Sequence, residues 1–327
     1  MTLNRRAALG LAALAAAARP VAALTPVSLQ VAPSDPTEVI RLWPGAAPGG
    51  ERVTVTPQVT ERSGDPGFHD RIARYTTDPI LTVLRPDRPN GASLLLIPGG
   101  GYKWAVVDKE GLDCARVFAA AGVTCFVLRY RLPGDGWAAG PDAPLQDAQR
   151  ALRLVRSQAA AHGQDPARVA VLGASAGGHL AGMLTARAAT YAAVDEADTV
   201  SHRPDLSILL YPVATMADPH VHAGSRLELL GEAPTAEMIA RYSLERMDWN
   251  GRPPTFLLHA MDDAAVPVEN SLQLLAALRA GGVTAEAHLF QEGGHGFGIR
   301  LIAGKPAAVW PELALSWAAR HGWITQT

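Results

Sequence analysis

The stretch Val169-Ala-Val-Leu-Gly-Ala-Ser-Ala-Gly-Gly-His-Leu180 decides the fold. Val169–Leu172 has the apolar, β-branched character of a buried strand, and helical periodicity begins at Ala176 and runs to Ala188. Between them lies Gly173-Ala174-Ser175-Ala176-Gly177, a G-x-S-x-G turn joining strand to helix. Its glycines let the chain turn sharply and let strand and helix approach closely. Such a turn pushes the Ser175 hydroxyl out at the carboxyl end of a sheet, where open α/β sheets bind ligands. The positive end of the following helix lies beneath it. Because the five-residue pattern also recurs by chance, it has to be weighed against the rest of the chain.

Working outward, short apolar runs alternate with helical segments. Ser93–Ile97 is a strand ended by Pro98-Gly99-Gly100-Gly101. Lys109–Ala121 is helical and stops at Gly122, and Val123–Leu128 is a strand. Ala143–His162 is a long helix ended by Gly163. Leu206–Leu210, Thr255–His259 and Ala285–Phe290 are strands, while Glu269–Ala280 and Pro306–His321 are helices. Arg71–Tyr75 and Ile80–Leu84 are short candidate strands. Five-residue strands separated by longer helices predict an α/β domain with a mostly parallel sheet covered on both faces. That domain is expected over 71–327, approached by an extended Pro-, Gly- and Thr-rich segment over 24–70. Residues 189–204 and 213–250 carry weaker patterns and are candidate insertions or lid pieces.

Composition narrows the function. The 327 residues are 48% hydrophobic and 18% charged, enough to fill a core and too apolar for a disordered chain. A net charge of −2 gives no basic surplus for nucleic acid. Two cysteines, Cys114 and Cys125, cannot by themselves form a disulfide scaffold or a four-ligand zinc site. They fall on an adjacent helix and strand, so a bridge and two buried thiols are both compatible with the pattern.

The amino terminus has the order of an export signal. Asn4-Arg5-Arg6 precedes the apolar run Ala7–Ala18, and small residues follow at Val21-Ala22-Ala23. The run would rise only about 18 Å as a helix, against a bilayer core of about 30 Å, so no stable membrane insertion is expected. The Arg-Arg pair resembles a twin-arginine signal, although Asn4 and Ala8 depart from its usual flanks. Cleavage is expected after Ala23, giving a periplasmic or extracellular protein. Loss of Arg5, Arg6 and Arg19 takes the charge from −2 to −5.

A serine nucleophile needs a base, and His295 lies in Gly293-Gly294-His295-Gly296-Phe297, just past the last strand. Histidine is the residue type that exchanges a proton near neutral pH, and this one stands on the same sheet edge as Ser175. An acid must orient that base, and Asp262 and Asp263 both follow the strand that ends at His259. The chain order serine, aspartate, histidine is that of hydrolase folds. The bare amides of Gly100 or Gly101, with that of Ala176, are candidate oxyanion donors. His179, one helical turn beyond Ser175, is expected to support the turn. His220-x-His222 lacks further metal ligands, so no metal and no organic cofactor are expected. Tyr102, Trp104 and Trp137 are candidates for the pocket wall or for packing under the loops.

Taken together, Ile97-Pro-Gly-Gly-Gly-Tyr102, Leu128-Arg-Tyr-Arg-Leu-Pro133, Asp165-Pro-Ala-Arg-Val169, Gly173–Leu180 and Asp263-Ala-Ala-Val-Pro267 resemble the α/β-hydrolase esterases near the acetyl xylan esterase and feruloyl-esterase-like branch. The resemblance covers about residues 70–325. It implies that Asp263, which precedes x-x-Val-Pro, is the acid rather than Asp262. It also implies a serine esterase acting on short acyl esters, acetyl foremost, as a small acyl ester or an acylated polysaccharide. A peptidase or lipase of the same fold, or a non-catalytic carbohydrate-binding relative, are the competing expectations. Oligomeric state has no sequence signal.

Overall fold

A computed structural model describes residues 33–324, so the expected export signal lies outside the described residues. Eleven strands occur among them. β1 is Val39–Arg41, β2 Gln58–Glu61, β3 Arg71–Arg74, β4 Ile80–Leu84, β5 Ser93–Ile97 and β6 Ala105–Val106. β7 is Thr124–Arg129, β8 Val169–Ala174, β9 Leu206–Leu210, β10 Thr255–Ala260 and β11 Ala285–Phe290. Eight of these form one sheet in the order β1-β4-β7-β5-β8-β9-β10-β11. From β7 to β11 neighbouring strands are parallel, and β4 runs antiparallel to both β1 and β7. This is the mostly parallel sheet expected of an α/β-hydrolase.

Alternation along the strands explains both layers. Leu95, Ile97, Val171, Leu209 and Leu257 face α2 (Ala143–Gln158), α3 (Ala176–Ala186) and α6 (Glu269–Ala280). Leu94, Leu96, Leu172, Ile208 and Phe256 face α1 (Asp113–Ala120) and α7 (Trp310–Arg320). Helices on both faces leave the central strands apolar on both sides, hence the unbroken hydrophobic runs in the sequence.

Part of the segment expected as an extended approach belongs to the sheet. β1 pairs with β4, and Leu42 and Trp43 behind it are buried. Trp43 Nε1 donates to Asp147 Oδ1 at 2.8 Å. That carboxylate also receives Arg131, and both side chains of the pair are fully buried. Arg131 further donates to the carbonyls of Pro48 and Ala143. Arg131, the second arginine of the Leu128–Pro133 motif, thus ties the amino-terminal segment to α2. Cys114 and Cys125 are both buried free thiols. No described helix is long and apolar enough to cross a membrane.

The chain passes from β5 to its neighbour β7 on one side. It then crosses through α2 to β8 on the other side of β5. Strand order therefore reverses at β5/β8, the crevice where α/β sheets bind ligands. Ile97 is the register partner of Gly173, which sets the Gly99–Gly101 turn beside Ser175. A small sheet, β2-β3-β6, anchors the far end of that turn.

Candidate active site

Ser175 closes β8 with φ 55° and ψ −122°, a backbone conformation costly for a side chain with a Cβ. Its carbonyl accepts from His179 N and Val213 N, both at 3.1 Å, and its amide donates to Leu210 O at 2.9 Å. These bonds hold the turn. Close approach also requires glycine there, because a Cβ on Gly177 would collide with Ile97 O and Pro98 O. Ser175 stands at the first turn of α3, and only 5% of it is exposed.

His295 arrives on the loop after β11, and its Nε2 lies 2.8 Å from Ser175 Oγ. Its Nδ1 lies 2.7 Å from Asp263 Oδ2, on the turn after β10. An ionised carboxylate only accepts, so Nδ1 carries the proton and Nε2 offers its lone pair to the serine hydroxyl. Asp263 Oδ1 accepts from Ala265 N and Val266 N, both at 2.9 Å. Burial alone would raise the Asp263 pKa, but bonds from His259 and His295 hold it well below the ordinary carboxylate range. Asp262 points elsewhere and accepts from Gly294 N at 2.8 Å. Of the two candidate acids, the structure brings Asp263 to the histidine.

Gly100 and Gly101 form the turn after β5, with φ of 126° and 66°. Among the described residues, their amides and that of Ala176 donate to no protein acceptor. The Gly99 amide, by contrast, is taken by Glu110 Oε2 at 2.9 Å. Sequence reasoning missed Glu110. A glutamate in Asp-Lys-Glu-Gly reads as a solvated helix face, yet Glu110 is buried on a π-helical turn, Asp108–Leu112. Its Oε1 accepts from Tyr211 OH at 3.1 Å, which in turn accepts from Gly298 N. The Tyr211 ring stands edge-on to His295, with centroids 5.1 Å apart. Burial, then the Glu110 charge, pushes the Tyr211 phenol well above its ordinary pKa, so it stays a donor. One buried chain of bonds thus joins the glycine turn to the histidine loop.

Three histidines support the site. His259, which reads as a plain apolar-strand residue, directs Nε2 to Asp263 Oδ2 at 3.2 Å and Val266 O at 3.0 Å. A polar side chain four residues before the acid, in a buried strand, was the available signal. His179 donates from Nε2 to Tyr242 O at 2.6 Å and accepts at Nδ1 from Tyr102 OH at 2.7 Å. Burial pushes its pKa down to about 4. His222, read with His220 as a weak metal pair, instead accepts from Ser225 N and caps α4 (Ala223–Leu230). Among the described residues, no three metal-ligating side chains gather.

A cavity of about 410 Å³ opens over Ser175 and His295. Gly100–Glu110 supplies one wall, including Trp104, while His222, Leu227 and Glu228 on and beside α4 supply another. The weakly patterned stretch 213–250 therefore furnishes part of the wall; its second helix, α5, spans Ala236–Tyr242. Two of the three aromatic pocket candidates are corrected. Tyr102 is buried beneath the turn and bonded to His179. Trp137 lines a separate hollow with Ala47 and Gly50, where the Arg131 guanidinium lies 4.8 Å from its ring. A cation–π seat on Arg131, against the amino-terminal segment, claims that indole.

The family model BD-FAE matches residues 86–278. Endo-1,4-beta-xylanase B of Butyrivibrio fibrisolvens is 35% identical over 221 residues, covering 67% of this chain and 34% of that protein. An acetylxylan esterase of Xylanibacter ruminicola is 31% identical over 224 residues, covering 67% and 44%. The chain thus spans between a third and a half of the length of these curated relatives. Among solved structures, an acetyl ester-xyloside bifunctional hydrolase from Caldicellulosiruptor lactoaceticus aligns with TM-score 0.68 and 32% identity. That alignment covers 88% of this chain and 97% of the other.

Proposed function

The chain belongs to the BD-FAE family, and from that premise we propose that it is an exported serine esterase that removes short acyl groups, acetyl foremost, from plant polysaccharide. The observation that carries this is the unbroken run of bonds from Ser175 Oγ through His295 to Asp263 at the floor of an open cavity. Acetylxylan esterase and acetyl ester-xyloside hydrolase are the names borne by two relatives, which supports an acetylated xylan as substrate. The amino-terminal Arg5–Ala23 pattern supports export.

In this mechanism Ser175 Oγ attacks the ester carbonyl as its proton passes to His295 Nε2. Asp263 stabilises the imidazolium and keeps its orientation. The amides of Gly100, Gly101 and Ala176 receive the negative charge that develops on the carbonyl oxygen. His295 then returns the proton to the departing alkoxide, leaving the acyl group on Ser175. A water deprotonated by His295 attacks that acyl ester, and collapse releases the acid and the free serine. Trp104, the aromatic candidate that faces the cavity, offers a flat apolar surface to a sugar ring.

The test compares nitrophenyl esters from acetyl to lauryl, and acetate release from acetylated xylan, for the unaltered protein and Ser175→Ala. Serine-dependent turnover favouring acetyl, with acetate released from xylan, is expected. Unchanged turnover in Ser175→Ala overturns the mechanism, and preference for long chains moves the protein to the lipases. Serine-dependent turnover without acetate release discards the polysaccharide.

A further inference from the structure

We propose that the cavity selects esters bearing a carboxylate close to the scissile bond, with Lys103 and Lys109 as its anchors. This rests on the esterase function proposed above and names the substrate class within it.

The chain has only three lysines, Lys103, Lys109 and Lys305, against 26 arginines. Two of them, Lys103 and Lys109, line the cavity, and the third, Lys305, donates from Nζ to Gly293 O on the histidine loop, two residues before His295. Many of the arginines are engaged in the framework. Arg71 bridges Asp35 and Asp108, Arg131 holds Asp147, and Arg150 holds Asp195 and Asp198. Among the described residues, neither cavity lysine has a carboxylate oxygen within 4.0 Å.

Their placement suits a ligand rather than the fold. Lys103 Nζ lies 5.6 Å from the centre of the Trp104 ring, which steadies its stem along the wall. Lys109 Nζ sits over the histidine loop, 3.4 Å from where a Cβ on Gly296 would stand. Two acidic groups share the wall. Glu110 has both oxygens occupied by Gly99 and Tyr211, and Glu228 stands on α4. Glu110 Oε1 and Lys109 Nζ both lie 3.4 Å from the same point over Gly296, but neither acid comes within ion-pair distance of a lysine, so both ammonium groups keep room for a guest. A lysine is a mobile point charge on a long stem, able to follow a carboxylate whose position varies, whereas an arginine fork demands one geometry. Lys109 is half-buried, where such an attraction exceeds its value at an open surface, while Lys103 stands exposed at the rim.

The carboxylate can sit on either side of the ester: on the alcohol, as in an acetylated uronic acid sugar, or on the acyl arm, as in a dicarboxylic hemiester. Both place the same charge beside the same bond. The experiment therefore uses two matched pairs. One is an O-acetylated methyl glucuronoside and its neutral methyl ester. The other is nitrophenyl hemisuccinate and its neutral methyl ester. The readout is the ratio of kcat/KM, charged over neutral. In at least one pair that ratio is expected to exceed about fivefold at about 0.01 M salt and to shrink at about 1 M, where the screening length falls from about 30 Å to about 3 Å. Lys103→Gln with Lys109→Gln should bring it towards one, and the Lys→Arg pair should keep most of it. The pair that responds identifies the side bearing the carboxylate. Ratios near one in the unaltered protein, or a ratio that survives the double Gln change, overturn the proposal. Turnover of both neutral esters with no preference removes this inference alone. No turnover of any ester, nitrophenyl acetate included, removes the esterase function with it.

Discussion

Asp263→Asn removes one charge and reverses one hydrogen bond at the centre of the site. The native carboxylate takes four donors: two amides on Oδ1, His295 and His259 on Oδ2. An amide side chain offers one accepting atom. If that oxygen stays with Ala265 N and Val266 N, the new NH2 faces His295 Nδ1. The imidazole must then offer its lone pair there and carry its proton on Nε2, which leaves Ser175 without a base. If the amide flips, its NH2 opposes two backbone donors in a buried turn, at about 1–3 kcal/mol for each unmet group. The wrong-tautomer arrangement is therefore the easier one, and the expected loss in kcat is about 10⁴-fold, or about 5.5 kcal/mol of barrier. The assay is nitrophenyl acetate hydrolysis between pH 7 and 8, with circular dichroism to show that the variant is folded. Asp262→Asn, whose native bond is to Gly294 N, should stay within about tenfold of the parent, since that bond only steadies the loop. A folded Asp263→Asn retaining more than about a tenth of kcat, against the 10⁴-fold loss expected, would refute the tautomer argument.

Two further outcomes follow from buried groups away from the reacting atoms. Asp147→Ala strands the fully buried Arg131 guanidinium, at an expected cost of about 3–5 kcal/mol; a melting scan should show a fall of roughly 10 °C, and no fall would contradict the structural role given to the pair. His179 has its pKa lowered from 6.5 to about 4 by burial. Between those values the unfolded chain binds a proton there that the folded chain does not, so stability should fall as pH drops through this window. The loss attributable to His179 is about 3 kcal/mol and is absent above pH about 6.5. Urea titrations should show a correspondingly shallower pH dependence for His179→Gln; identical slopes would contradict the assignment.

Much of the architecture was legible because parallel strands buried on both faces are continuous apolar runs, as in Ser93–Ile97 and Leu206–Leu210. Ser175 and His295 were legible because each lies in a glycine-marked turn at a strand end. What escaped depends on contacts distant in sequence, or on local ones that leave no hydrophobic period. β1 has three residues, too few for a period, and is defined by its pairing with β4. Helices α4 and α5, of eight and seven residues, are set by the His222 and Thr235 caps more than by a hydrophobic stripe. Glu110 looks ordinary in sequence and acquires its role only when β5 and β9 bring Gly99 and Tyr211 to it, whereas His259 reaches Asp263, four residues on, across the turn after β10. Trp137 fitted either the pocket wall or packing under the loops, and Arg131 holds it on another surface.

The central claim is that Ser175 is a nucleophile activated by His295. Incubation with a fluorophosphonate ester, followed by intact-mass and peptide mass spectrometry, tests it most directly. One adduct per chain on Ser175, slowed strongly in His295→Ala, is the expected result. A chain that stays unmodified, or that carries the adduct on a residue other than Ser175, would contradict the account.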